Sequence, residues 1–420
     1  MDEKHLDRYA RLLVEHGAGL RPGQHLYLRA EVAHRDLALR IAEAAYDAGA
    51  GAVRTHWKDP LEEAQLIRRG RLEEIAFHHG ALRAWLDDLV RTRSAIVSLR
   101  GEEAPRLMPE LARNHPERHA IFTRGANEAT QGLFDHGVNR SLCPWVVAGV
   151  VTPAWARQVF PDLDEAAAVD RLWPLIFEFT HADRDDAVEL NAAKDRRLHC
   201  RRRLLDELEI REVHVTGGGS DFTVGFSERM RWLGGSKKTA DGQVFNANVP
   251  SEENFTTPDW RRTEGRLAAT MPFRTKNGLL VKELVLTFRD GRVVDFTAGE
   301  GAEGFGRWID VDEGARQLGE FALVGQDSPI ARSGLFFEHT LFDENAWSHA
   351  ALGQGYTNGL DGGPEASARE LDALGCNRSA IHTDVMFGSP EVTVTATDTR
   401  EGEVVLVDRG HWAERFLDPA

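Results

Sequence analysis

Apolar positions recur with a helical period at the start of the chain. Over residues 4–17, Leu6, Tyr9, Leu12 and Leu13 fall on one face, which predicts an amphipathic helix. Arg21-Pro22-Gly23 ends it. Residues 24–30 then read as a strand. Residues 35–48 read as a second helix closed by Gly49, a favoured residue just past a helix end. Residues 52–57 read as another strand, and strand–helix–strand order predicts parallel pairing. Short apolar runs at 95–99, 120–123 and 146–151 predict more strands between helices. From 152 to 208 the pattern is helical, with Trp155, Val159, Phe160, Leu172, Trp173, Ile176 and Phe177 on apolar faces. Its last part, K-D-R-R-L-H-C-R-R-R-L-L-D-E-L at 194–208, reads as a solvated basic face beside an apolar stripe.

After residue 210 the period shortens to two. Segments 212–216, 221–226, 283–288, 392–396 and 403–408 read as strands, and Asp290-Gly291 marks a hairpin turn. Residues 311–323 and 345–352 read as helices within this β-rich half. The expected fold is an α/β N-terminal domain with an open, mainly parallel sheet, followed by an α+β C-terminal catalytic domain rich in antiparallel strands. The boundary lies within 180–210 and is drawn as 1–190 and 191–420. At 420 residues, 42% of them hydrophobic, each domain can bury its own core.

Charge and cysteine usage narrow the function. With 51 basic against 67 acidic side chains the net charge is -16, which disfavours a nucleic-acid or polybasic membrane surface. No apolar run approaches the ~18 residues that a bilayer requires. Cys143, Cys200 and Cys376 are far apart and odd in number, so neither a disulfide framework nor a thiolate zinc site is expected. The charged start M-D-E-K-H lacks a signal core, and a cytoplasmic location is expected. A metal, if bound, would be held by histidine, carboxylate and phenol oxygen.

Residues of that kind gather near the end of the chain. His382 and Asp384 are two apart and share a face if they lie on a strand. His349 and Tyr356 are seven apart, but Gly353 and Gly355 between them make one continuous helix doubtful. Glu320 sits among Leu318, Phe321, Ala322 and Leu323 in the helix read at 311–323; buried there, it would need a metal or a cation. Glu252 and Glu253 are adjacent, so at most one faces a given metal. Each feature alone also has a plain structural reading: surface charge, or an Asp–His hydrogen bond. No G-x-G-x-x-G opens the first strand–helix turn. H-E-x-x-H, G-x-S-x-G and the P-loop pattern are missing too, which removes dinucleotide, thermolysin-like, serine-hydrolase and NTP-binding readings.

Several motifs occur together in order: L-D-R-Y-A-x-L-L-V and R-P-G-Q near the start, S-L-R-G-E at 98–102 and T-P-A-W-A-x-x-V-F-P at 152–161. S-D-F-T-V-G-F at 220–226, F-N-A-N-V-P-S-E-E-N-F-T-T-P at 245–258 and T-L-F-D-E-N-A at 340–346 follow. H-A-A-L-G-x-G-Y at 349–356 and H-T-D-V-M-F-G at 382–388 close the series. With these the chain resembles the aminopeptidase T and aminopeptidase S metallopeptidases, peptidase family M29, over nearly its whole length. The resemblance implies two divalent metal ions per chain (zinc, cobalt, magnesium or manganese), short peptide substrates and a homodimer. It implies metal ligands at Glu253, Glu320, His349, Tyr356, His382 and Asp384, with the choice between Glu252 and Glu253 left open. Glu252, Glu253, Glu320 and Tyr356 are the implied catalytic groups. Trp347 and Phe337-Glu338-His339 depart from the family pattern. Two other readings stand beside this one. One is a mononuclear iron ring-cleaving dioxygenase of the dihydroxypyridine type, using His349, His382 and Asp384. The other is a non-catalytic peptide-binding protein.

Overall fold

A computed structural model describes residues 2–76, 79–138 and 140–417. The chain forms two compact units, Met1–Ala193 with Ser236–Pro250, and Lys194–Gly235 with Ser251–Ala420. The sequence reading drew a single cut, between residues 190 and 191. The excursion Ser236–Pro250 into the first unit has no counterpart in that reading.

The first unit is built on five parallel strands in the order Ala52–Lys58, His25–Glu31, Ala95–Arg100, Trp145–Gly149, Asn248–Val249. The helix Glu3–Leu12 lays Leu6, Tyr9, Ala10 and Leu12 inward, as its apolar spacing requires. Tyr9 donates its hydroxyl to the Gly149 carbonyl at 3.0 Å and meets Trp173 and Phe177 edge-on. The strand expected at 120–123 is instead part of the helix Pro116–Gly132. There Phe122 packs with Ala64, Ile67 and Leu111. A four-residue apolar run fits either element, and here the longer helical context prevails.

The second unit contains an eight-stranded antiparallel sheet and a four-stranded antiparallel sheet. The larger sheet runs Arg292–Thr297, Val285–Arg289, Thr263–Ala268, Ser220–Gly225, Ile210–Gly217, Thr393–Asp398, Gly402–Asp408, His411–Trp412. The smaller runs Asn254–Thr256, Leu318–Leu323, His349–Gly353, His382–Met386. One apolar core joins them: Val213, Val215, Phe222 and Val224 from the first, Phe321, Leu323, Leu352 and Val385 from the second. Phe387 links the two, edge-on to Phe222 at 5.3 Å and stacked on Phe321 at 5.6 Å.

Two of the expected helices are strands. Residues Glu313–Arg316 make one 3-10 turn, after which Leu318–Leu323 runs as a strand buried along its whole length. Within 345–352, His349–Gly353 is likewise a fully buried strand. A strand covered on both faces shows no polar alternation, so its sequence mimics a buried helix.

Candidate metal centre

The smaller sheet sorts its residues by the two-residue period of a strand. Phe321, Leu323, Leu352 and Val385 point into the core. The opposite face carries Glu320 opposite Ala351, Ala351 opposite Asp384, Ala322 opposite His349, and Gly353 opposite His382. The polar groups thus alternate with the smallest residues, which leaves room in front of the sheet. Glu253 stands immediately before the strand Asn254–Thr256. His382 and Asp384 share a strand face as their spacing predicts, while Glu320 reaches that face from a strand and not from a helix. Tyr356 follows the strand His349–Gly353 and opens a short 3-10 turn.

Two sets of donor atoms each lie within 4.8 Å of one another: Glu253, Glu320 and His349; and Glu320, His382 and Asp384. Glu320 belongs to both. His349 Nε2 is 3.5 Å from Glu253 Oε2, and His382 Nε2 is 3.0 Å from Glu320 Oε2 and 3.4 Å from Asp384 Oδ1. On the other side of each ring, Nδ1 of His349 bonds the Trp347 carbonyl at 3.2 Å and Nδ1 of His382 bonds the Gln354 carbonyl at 2.8 Å. A carbonyl only accepts, so both Nδ1 atoms carry hydrogen. In the neutral ring this leaves the Nε2 lone pairs aimed at the carboxylates, the arrangement found behind metal-bound histidines. Asp384 Oδ1 is buried without a hydrogen bond. Imidazole nitrogen and carboxylate oxygen suit zinc, cobalt and manganese, so this donor set fits divalent metal ions.

The electrostatics follow from crowding. Burial opposes the charged form of His349, but Glu253, Glu320 and Asp384 outweigh it and raise its pKa. Burial likewise opposes charge on His382, yet Asp384 and Glu320 hold its pKa well above the usual imidazole range. Burial disfavours the Asp384 carboxylate, but His382 and then His349 bring its pKa down to about 2. Tyr356 is 40% exposed, while its hydroxyl end lies 3.4 Å from His382 Nε2. Burial of that end, followed by the charges of Glu320 and Asp384, pushes its pKa well up.

Glu252 faces elsewhere. Its Oε1 is 2.5 Å from Lys194 Nζ, and its amide donates to Asn345 Oδ1 at 2.6 Å. Of the adjacent pair, Glu253 is therefore the member that reaches the donor cluster. Lys194, only 6% exposed, corrects the reading of 194–208 as a solvated face. Lys194, Leu198, Arg201 and Leu205 are spaced by four, three and four, so two cations share the apolar stripe. That spacing was the available signal. The sequence reading also passed over Glu344. Burial, then Glu253, Asp384 and Glu320, raise its pKa well above the carboxylate range, so it stands close to the cluster.

Residues 2–412 match the family described as "Thermophilic metalloprotease (M29)". Aminopeptidase 2 of Geobacillus stearothermophilus is 36% identical over 98% of this chain and 98% of that protein. Aminopeptidase T of Thermus aquaticus is 36% identical over 97% of this chain and 98% of that protein. The solved structure "Wild-type AmpT from Thermus thermophilus" matches with a TM-score of 0.87 and 31% identity, over 98% of this chain and 99% of that one. A full-length match of this kind, with the donor cluster on one sheet face, places the chain in the M29 family of thermophilic metalloproteases.

Proposed function

We propose that the protein is an aminopeptidase that removes the N-terminal residue from short peptides, using two divalent metal ions. The observation that carries the reading is the pair of donor sets sharing Glu320. Glu253, Glu320 and His349 would hold one ion, and Glu320, His382 and Asp384 the other, with Glu320 bridging. Bound there, the ions would supply Lewis acidity toward the scissile carbonyl and acidify water. The chain's own groups do the rest. The Nδ1 bonds to the Trp347 and Gln354 carbonyls fix both imidazoles. Tyr356, whose raised pKa keeps its proton on, donates a hydrogen bond to the oxyanion. Glu252 is clamped by Lys194 and fixes the peptide that presents Glu253. The relatives' names support this activity. They give no support to the dioxygenase reading. We further read the protein as a cytoplasmic homodimer, on the family resemblance and the cysteine usage. Among the described residues no helix is long and apolar enough to cross a membrane.

The test is an assay with leucyl, alanyl and arginyl anilides and with di- to tetrapeptides, before and after EDTA, with zinc, cobalt and manganese restored singly. Activity should vanish on chelation and return with metal. Alanine at Glu320 or His382 should lower kcat/KM by at least about 100-fold, the scale of losing a metal ligand or its direct support. Full turnover by either variant would refute the assignment.

A further inference from the structure

The phenol offered to the oxyanion and the carbonyl that fixes the second imidazole lie on one short segment. Residues 353–356 leave the end of the strand His349–Gly353. The Gln354 carbonyl accepts from His382 Nδ1 at 2.8 Å, and the Tyr356 hydroxyl lies 3.4 Å from His382 Nε2. The Tyr356 ring stands edge-on to Phe255 at 5.5 Å and to His382 at 5.2 Å. Yet the segment contains Gly353 and Gly355, and glycine gives up the most backbone freedom on ordering. A precise place for the phenol therefore needs support from outside the segment.

Asn377, only 3% exposed, supplies that support. Its Nδ2 donates to the carbonyls of Gly353 at 2.7 Å, Gly314 at 2.8 Å and Gln317 at 3.1 Å. Its Oδ1 accepts the Arg378 amide at 2.8 Å. Its own carbonyl takes the Gly355 amide at 3.0 Å and the Gln354 side chain at 3.4 Å. Asn377 thus grips Gly353, Gln354 and Gly355, the three residues before Tyr356. The fit is close, since a Cβ on Gly355 would stand 3.3 Å from the Asn377 amide nitrogen. The bonds to Gly314 and Gln317 tie the segment to the residues that lead into Leu318–Leu323, the strand of Glu320. Beyond Gly355, the Tyr356 carbonyl accepts from Thr257 Oγ1 at 2.6 Å. Gln354 has a separate hold, its amide on the Ile381 carbonyl at 2.7 Å, so the support of His382 does not depend on Asn377 alone.

We propose that Asn377 is a positioning residue for Tyr356, setting the place of its phenol through the backbone of residues 353–355. The proposal rests on the aminopeptidase reading and deepens it. Asparagine suits the place because its amide is donor and acceptor at once. Asn377→Asp keeps the shape, loses both donors and turns a carboxylate toward three carbonyls. Asn377→Ser keeps one donor on a shorter stem and adds no charge.

The experiment is a double-mutant cycle on the metal-loaded protein. Asn377→Asp and Asn377→Ser are each made in the wild type and in Tyr356→Phe, and kcat and KM for leucyl anilide are measured beside metal content and circular dichroism. In the wild-type background kcat should fall on the order of 10- to 100-fold, approaching the worth of one oxyanion donor, while KM and metal content hold. In Tyr356→Phe the same substitutions should cost less than about twofold, because the group they misplace is already gone. A residue that only supports the fold would lower both backgrounds alike. Equal losses in the two backgrounds, loss of metal, unchanged kcat in both Asn377 variants, or failure of both to fold would each overturn the positioning role. Tyr356→Phe with full turnover would overturn it too. Wild type that hydrolyses no aminoacyl substrate would overturn the aminopeptidase reading and this role with it, whereas wild type that hydrolyses, beside an additive cycle, would overturn the role alone.

Discussion

Lys194 and Glu252 form a pair whose side chains are almost wholly enclosed, so each charge depends on the other. Lys194→Met would leave Glu252 buried without its cation and should cost about 3–5 kcal/mol, read as a lowered urea midpoint. The double variant Lys194→Met, Glu252→Gln should regain most of that loss, because no uncompensated charge remains. An unaltered midpoint in the single variant would mean that the pair does not support the fold. The sequence made such residues legible to unequal degrees. His382 and Asp384 could be paired from their spacing alone, because a strand repeats every two residues. The adjacency of Glu252 and Glu253 showed only that they must diverge; which one reaches the cluster depends on Lys194, 58 positions upstream of Glu252. Glu344 lies in the motif at 340–346, but nothing in its spacing singled it out. The charges of Glu253, Asp384 and Glu320 that raise its pKa come from elements only the tertiary fold brings together.

The element that organises the site is the four-stranded sheet, and its small residues are as necessary as its acids. Gly353 has φ of +103°, and a Cβ there would sit 2.2 Å from the Ile381 carbonyl oxygen. It also pairs with His382. Gly353→Ala should therefore strain the backbone and push the His382 strand away, destabilising by roughly 2–4 kcal/mol. Thermal unfolding would detect the loss, and a metal titration should show weaker binding, since His382 moves with its strand. Full metal affinity in a destabilised variant would separate the glycine's fold role from the site. In the first unit the helices that were readable, such as Glu3–Leu12, have one covered and one wet face. The strands Leu318–Leu323 and His349–Gly353 were not readable, because every position along them is buried. The motifs singled out residues that the fold brings together even where the local pattern assigned the wrong element, since motif order does not depend on secondary structure.

At the scale of the whole molecule, metal and protons compete for the same atoms. In the ion-free chain the neighbouring carboxylates raise the pKa values of His349 and His382, so both rings hold a proton strongly. A raised histidine contributes stability that is complete below its unfolded pKa and is lost as pH rises through the folded one. Asp384 behaves oppositely: lowered to about 2, it contributes above the ordinary carboxylate value, and that contribution is lost as pH falls from there toward 2. Between those limits the stripped protein should lose histidine-linked stability as pH rises, while its acids go on repelling one another. Metal binding reverses the trend, because an ion must displace the Nε2 protons and binding releases them. Affinity should rise up to about tenfold per pH unit for each proton released, and flatten once the histidines are neutral without metal. Since ligand at 100 times its Kd stabilises by about 2.7 kcal/mol, the difference in Tm between loaded and EDTA-stripped protein should widen from pH 6 upward. Scanning fluorimetry at half-unit steps, with zinc, cobalt or manganese at fixed free concentration, measures that difference. A gap that stays constant with pH would mean that the metal does not displace protons from His349 and His382, and the donor sets proposed around Glu320 would then be wrong.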